Sequence, residues 1–267
     1  MILKFLKIVL FVAALYGGLC VLLYGIQEQL IFFPQKLDPD YVFEFEHPYE
    51  EIFITATDGI RLHGLLFKAD SSKGLVFYLH GNAGSLATWG DVASTYRDLG
   101  YDVFILDYRG YGKSEGTING EEQLHHDIQS AYHEMSKKYK EENFIILGYS
   151  LGTGFAAKLA AENTPKMVIL QAPFYSMTDL MKHSYPFLPT FILQYKFATN
   201  EYLRKCSVPM VFFHGDEDEV IYCGSSMKLK NEFPTAKLIL LKGQGHNGMT
   251  SNPEYIAELT GIIHSIH

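Results

Sequence analysis

The sequence predicts an α/β protein: a mostly parallel, doubly wound sheet entered through an N-terminal antiparallel hairpin, with a small lid insertion and one transmembrane helix in front. Three observations predict it. From residue 75 onward short continuous apolar runs alternate with helical stretches, the pattern of parallel strands buried on both faces. Asp58-Gly59 separates two β-rich segments, a strong hairpin signal. From Ile8 to Ile26 nineteen residues pass without a charge.

That uncharged run comes first. At roughly 1.5 Å of rise per residue it is long enough to cross a hydrocarbon core of about 30 Å. No A-x-A-like cleavage site follows it, and Leu19 stands where a lipoprotein signal ending at Cys20 would want a small residue, so the segment is expected to remain as an anchor over 1–28. Lys4 and Lys7 precede it, while Gln27, Glu28 and Gln29 follow. The positive-inside bias therefore sets the remainder of a single-pass protein on the extracytoplasmic side.

Residues 29–50 read as a connector, broken by Pro34, Pro39 and Pro48. The domain proper is expected over 51–267. EIFITA (51–56) and RLHGLLF (61–67) form the hairpin. The apolar runs Leu75–Leu79, Val103–Leu106, Phe144–Leu147, Met167–Leu170, Met210–Phe213 and Lys237–Leu241 form the sheet, with helices such as Glu121–Tyr139 and Thr153–Glu162 between them. A lid insertion is expected at about 174–205. It is rich in aromatics, including Phe174, Tyr185, Phe187, Phe191 and Tyr195, which suits either ordinary packing, an acyl pocket or contact with a bilayer.

Composition narrows the function. Apolar residues make up 48% and charged residues 19%, enough for a large core, and the formal net charge is −8 with no basic cluster after the anchor, which argues against a nucleic-acid partner. Cys20, Cys206 and Cys223 lack C-x-x-C spacing and are expected as unpaired thiols. No metal cluster or nucleotide loop is visible, so neither metal nor cofactor is implied.

The chemistry is carried by Gly148-Tyr149-Ser150-Leu151-Gly152, a G-x-S-x-G between an apolar strand and a small-residue helix. The turn lifts the Ser150 hydroxyl above the sheet at a helix N-terminus, where developing negative charge is favoured. A serine needs a base. His246, in the loop after the last strand, sits where α/β sheets gather functional groups. His80 and His214 also end strands, in His-Gly steps, and are read as loop-orienting. His125, His126 and His133 are placed on a solvated helix, and His264 and His267 near the C-terminus. The acid should follow Met210–Phe213, within His214-Gly215-Asp216-Glu217-Asp218-Glu219; Asp218 is preferred, Asp216 is next. The oxyanion donors are the N–H of Leu151 and that of Asn82, with Ala83 as the alternative to Asn82.

The combination LHGNAG, DYRGYGKSEG, GYSLG, HGDEDEVI and GQGHN, with QEQLIFFP after the anchor, resembles the α/β-hydrolase superfamily over nearly all of the chain beyond residue 50. It is similar to a branch of membrane-anchored hydrolase-domain proteins and serine aminopeptidase-like hydrolases that includes protein depalmitoylases. The resemblance implies an α/β-hydrolase fold, Ser150 as nucleophile, Asp218 as acid, His246 as base, and Asn82 and Leu151 at the oxyanion hole. It makes Asp107-Tyr108-Arg109-Gly110 a structural loop. The expected activity is cleavage of small-molecule or lipid-like acyl esters or thioesters through an acyl-enzyme. An aminopeptidase-like amide hydrolase, which would need an acidic grip such as Asp179 or Glu201 in the lid, and a non-catalytic membrane-tethered scaffold are the alternatives.

Overall fold

The computed structural model describes residues 1–265, so His267 lies outside the described residues. Its N-terminal helix α1 (Ile2–Gly25) is long and apolar enough to cross a membrane, and none of it is buried against the domain. A short helix α2 (Gln27–Ile31) follows, with Ile26 breaking the helical dihedrals between the two. The connector then packs on the domain instead of looping free. Phe33–Pro34 (β1) pairs in parallel with Ala83–Gly84 (β5), while Phe32 and Phe43 are buried.

Among the described residues one eight-stranded sheet forms the centre. Its strands in chain order are β2 (Tyr49–Thr55), β3 (Arg61–Phe67), β4 (Leu75–Leu79), β6 (Asp102–Asp107), β7 (Phe144–Tyr149), β8 (Met167–Gln171), β9 (Met210–Gly215) and β10 (Lys237–Leu241). Across the sheet they run β10-β9-β8-β7-β4-β6-β3-β2. The first two form the antiparallel hairpin, with Thr55 opposite Arg61 around Asp58-Gly59. β3 pairs antiparallel with β6, and all later neighbours are parallel. The α/β-hydrolase fold expected from the sequence is what the chain adopts.

The sheet's two faces divide the core. Leu75, Phe77, Leu79, Phe104 and Ile146 face one apolar layer with helices α5 (Glu121–Ser136) and α6 (Gly152–Glu162). Val76, Tyr78, Val103, Ile105 and Ile145 face the other with α10 (Pro253–Ser265). Alternation of side chains along each strand demands this split, since neighbouring residues point to opposite faces. Strand order reverses at β4, which has β7 on one side and β6 on the other. The crevice beyond the carboxyl ends of β4 and β7 is therefore the place where a ligand fits such a sheet.

His125 departs from the expectation of a solvated helix. His126 and His133 are exposed, but His125 is buried, its ring edge-on to Phe155, Phe197 and Tyr202. It faces the lid base, not water, because the residues after β8 fold back over α5. Glu121 of the same helix holds that base: its carboxylate accepts from the N–H groups of Lys196 and Phe197 and from the Tyr202 hydroxyl.

The loop after β6 has a structural role. Arg109, buried, makes two paired hydrogen bonds to Asp127 at 2.8 and 2.7 Å and two to Asp58 at 2.7 and 3.0 Å. Arg109 thus ties the hairpin turn to α5, and Asp127 is itself buried. Arg109→Ala would strand the Asp127 charge, so chemical unfolding should show a loss of about 3–5 kcal/mol in stability. A change below about 1 kcal/mol would mean that the ion pair contributes little.

Candidate active site

The sharp turn between β7 and α6 is built for a side chain that must stand clear of the sheet. Ser150 has φ 52°, a left-handed conformation that a residue with a Cβ adopts at a cost. The strain is held by bonds on both sides. The Ser150 N–H donates to the Gln171 carbonyl at 2.9 Å, and its carbonyl accepts from the Thr153 N–H and hydroxyl. The flanking glycines are required by close approach. A Cβ on Gly152 would run into the Leu79 carbonyl, and one on Gly148 into the Gly152 carbonyl and Ala156.

The structure brings Ser150, His246 and Asp218 into one line of hydrogen bonds. His246 Nε2 lies 3.0 Å from Ser150 Oγ, and His246 Nδ1 lies 2.7 Å from Asp218 Oδ2. A carboxylate can only accept, so Nδ1 carries the proton and the Nε2 lone pair is left facing the serine hydroxyl. The Tyr149 hydroxyl donates to the His246 carbonyl and holds that loop over the turn.

Of the four acids after β9, Asp218 alone turns inward; Asp216, Glu217 and Glu219 are exposed. Asp216 instead accepts from the Gly243 N–H at 2.7 Å. Asp218 Oδ1 accepts from the N–H groups of Val220 and Ile221 at 2.9 and 2.8 Å. His214, fully buried, puts Nε2 3.3 Å from Asp218 Oδ2 and 2.8 Å from the Ile221 carbonyl, while Nδ1 meets the Ser226 hydroxyl at 2.6 Å. Burial pushes the Asp218 carboxyl up, but hydrogen bonds from His214, His246 and the Ile221 N–H outweigh it and hold it well below the usual carboxylate range. Because folding lowers this pKa, the stability it contributes is complete above about pH 4 and drains away as pH falls toward the folded value.

Asn82 and Leu151 line the same cavity as Ser150, of about 260 Å³. Neither N–H donates to a backbone acceptor among the described residues. Neighbouring groups fix the Asn82 N–H in direction. His80 Nδ1 bonds the Gly81 carbonyl at 2.7 Å, which belongs to the same peptide unit as that N–H. The Asn82 carbonyl accepts from the Phe33 N–H and the Tyr111 hydroxyl, and the Asn82 side chain donates to the Ile31 carbonyl. Ala83, the alternative donor, stands in register with Phe33, its carbonyl accepting from the Trp89 indole N–H at 2.8 Å, and it does not line the Ser150 cavity. Sequence reasoning missed the contribution of Phe33 and Ile31, because a two-residue ribbon has no periodicity to detect.

No group of three or more His, Cys, Asp or Glu side chains is placed to hold a metal among the described residues. Cys20, Cys206 and Cys223 are free. The arrangement sets a hydroxyl against an imidazole lone pair, with a carboxylate held ionised behind the ring and with Asn82 and Leu151 on the wall of the same cavity.

A family model described as serine aminopeptidase, S33, matches residues 70–203. The chain is 30% identical over 222 residues to alpha/beta hydrolase domain-containing protein 17C of Xenopus tropicalis, covering 80% of this chain and 69% of that one. It is 27% identical over 248 residues to an uncharacterized protein of Mycobacterium tuberculosis, covering 91% and 88%. In fold it is similar to the solved esterase Pf2001 of Pyrococcus furiosus, with a TM-score of 0.66 at 17% identity over 88% of this chain and 96% of that chain.

Proposed function

The chain belongs to the serine aminopeptidase S33 family of α/β-hydrolases, and from that membership we propose that it is a membrane-anchored serine hydrolase of acyl esters or thioesters. Ser150 is the nucleophile, His246 the base and Asp218 the acid that orients the imidazole. The observation that carries this reading is the hydrogen-bond line from Asp218 through His246 to Ser150, ending in a largely apolar cavity.

His246 Nε2 takes the Ser150 proton as Oγ bonds to the acyl carbon. The oxyanion that forms is met by the N–H groups of Leu151 and Asn82. Nε2 then gives the proton to the leaving oxygen or sulfur as its bond to the acyl carbon breaks. Water, losing a proton to the same nitrogen, releases the acid and restores the serine. The imidazolium formed in each step faces the Asp218 carboxylate, held ionised by its own hydrogen bonds.

The aminopeptidase reading has less support. Asp179, which the lid offers as a grip for a substrate amine, already accepts from Lys228 at 2.6 Å and from the Tyr222 hydroxyl at 2.5 Å. Its charge is spent. Glu201 is exposed and does not line the Ser150 cavity. For topology, the proposal places the domain across the membrane from Lys4 and Lys7.

A fluorophosphonate probe should label the full-length chain, and labelling should vanish in Ser150→Ala and in His246→Ala. Turnover of nitrophenyl acyl esters should exceed that of aminoacyl amides. A wild-type chain that takes no label would leave a tethered scaffold as the better account.

A further inference from the structure

The anchor helix does more than tether. A second cavity, of about 410 Å³, opens between the anchor and the lid; Leu23, Leu30 and Ile31 wall it on the anchor side, Met181, Leu188 and Ile192 on the lid side. Leu30, Ile31, Met177, Leu180 and Tyr185 line both this trough and the Ser150 cavity. The two spaces therefore adjoin along one apolar wall that leads from the end of the membrane helix to the serine.

The trough is fixed in shape by polar ties. Gln27, buried at its edge, donates to the Ile192 carbonyl at 2.8 Å and accepts from the Gln194 N–H at 2.8 Å. The Gln194 side chain donates to the Tyr24 carbonyl at 2.7 Å, and the Tyr195 hydroxyl bonds Glu28 at 2.8 Å. These four contacts satisfy the polar groups at the rim and leave apolar side chains facing inward. A buried amide spent in this way makes the wall rigid.

The depth of the lid supplies the second observation. The Tyr16 hydroxyl donates to the Phe187 carbonyl at 2.6 Å. Tyr16 lies nine residues before the end of α1, roughly 13 Å along its axis. With the helix centred in a core of about 30 Å, that contact falls about 10 Å below the hydrocarbon edge. The lid tip there is apolar and uncovered: Phe187 is 65% and Phe191 84% exposed, and Tyr185 is 54% exposed. Such a patch belongs in lipid, not in water.

We infer that the trough is the acyl-chain subsite of this hydrolase and that it fills from the bilayer, the substrate being a membrane-resident ester or thioester of a long-chain fatty acid. This rests on the reading of Ser150 as nucleophile. The lid tip sits about 10 Å inside the hydrocarbon layer, the acyl tail enters between lid and anchor, and its carbonyl end reaches Ser150 past Leu30 and Met177. The volume and apolar walls fit a ligand whose recognition is burial of methylenes.

The test uses the full-length chain reconstituted in phosphatidylcholine vesicles. Met181→Trp and Leu188→Trp fill the trough at positions that do not line the Ser150 cavity. Each should lower the ratio of kcat/KM for nitrophenyl palmitate to that for nitrophenyl butyrate by about tenfold or more, the effect of keeping roughly two methylenes out of apolar contact. The ratio is taken on one preparation, so the fraction of folded protein cancels. A tryptophan introduced by Phe187→Trp should be quenched by bromines placed along the lipid chains. An unchanged ratio in both filled variants, or an unquenched tryptophan at that position, overturns the proposal while leaving the hydrolase intact. A wild type that cleaves neither ester and takes no fluorophosphonate sinks the hydrolase reading itself, and this one with it.

Discussion

Ser150→Ala should lower kcat for a short acyl ester by about 10⁴–10⁶-fold, and His246→Ala should do nearly the same. The size follows from how the two groups act. The hydroxyl at Ser150 is a weak nucleophile until Nε2, 3.0 Å away, removes its proton, so neither works without the other. The double variant should therefore be scarcely worse than either single one. What remains is binding in the cavity with the Leu151 and Asn82 N–H groups, which keep some advantage over water. Independent, multiplying losses would mean that the serine and the imidazole do not act as one unit. Ser150→Ala should also leave the fold intact, and at φ 52° the smaller side chain carries no hydrogen bond that the turn depends on, since the backbone of residue 150 makes those bonds.

Much of this architecture could be read from the chain because parallel strands in a doubly covered sheet must be continuously apolar. Leu75–Leu79 and Lys237–Leu241 begin and end where their apolar runs do. Where the strands run longer, at Tyr149, Gln171 and Gly215, the ladder carries on past the aliphatic run to the edge of the site, where the Gln171 carbonyl accepts from the Ser150 N–H and the Tyr149 hydroxyl donates to the His246 carbonyl. Polar character at a strand's carboxyl end hides its length and marks the function at once. The G-x-S-x-G turn was legible for a related reason: two glycines and a small-residue helix are needed wherever a strand reverses this tightly.

Other features depend on contacts distant in sequence. His125 and His126 are neighbours on one helix, and only the lid folding back over α5 makes one buried and the other exposed. His214 reads as a loop histidine; its position behind Asp218 depends on the chain turning through Ile221 and Ser226. The pairing of Phe33–Pro34 with Ala83–Gly84, and the contact of Tyr16 with Phe187, span 50 and 171 residues or so of sequence and leave no local periodicity. Those long-range contacts shape the loop that carries Asn82 and the wall that leads to Ser150. The sequence therefore points to the proposed reacting groups more readily than it points to a substrate.

Asp218→Asn should lower kcat by about 10⁴-fold while the protein stays folded, and the geometry says why a change of one atom does so much. Oδ1 of Asp218 accepts two backbone N–H groups, from Val220 and Ile221. In the variant the amide oxygen must take that place, because an NH₂ group there would face two donors. The amide nitrogen is then turned to His246 Nδ1, where it can only donate. Nδ1 has to accept, so the proton moves to Nε2, and the nitrogen facing Ser150 loses the lone pair it needs. The same NH₂ would also point at the Nε2–H of His214, 3.3 Å from the atom it replaces, so some loss of thermal stability should accompany the kinetic one. A proton-sensitive NMR experiment on His246 should find the proton on Nδ1 in the wild type and on Nε2 in Asp218→Asn. Asp218→Glu keeps the charge and the acceptor, and should recover part of the rate. If Asp218→Asn retained more than about a tenth of wild-type kcat, the carboxylate would not be setting the tautomer, and Asp216 would have to be tested in its place.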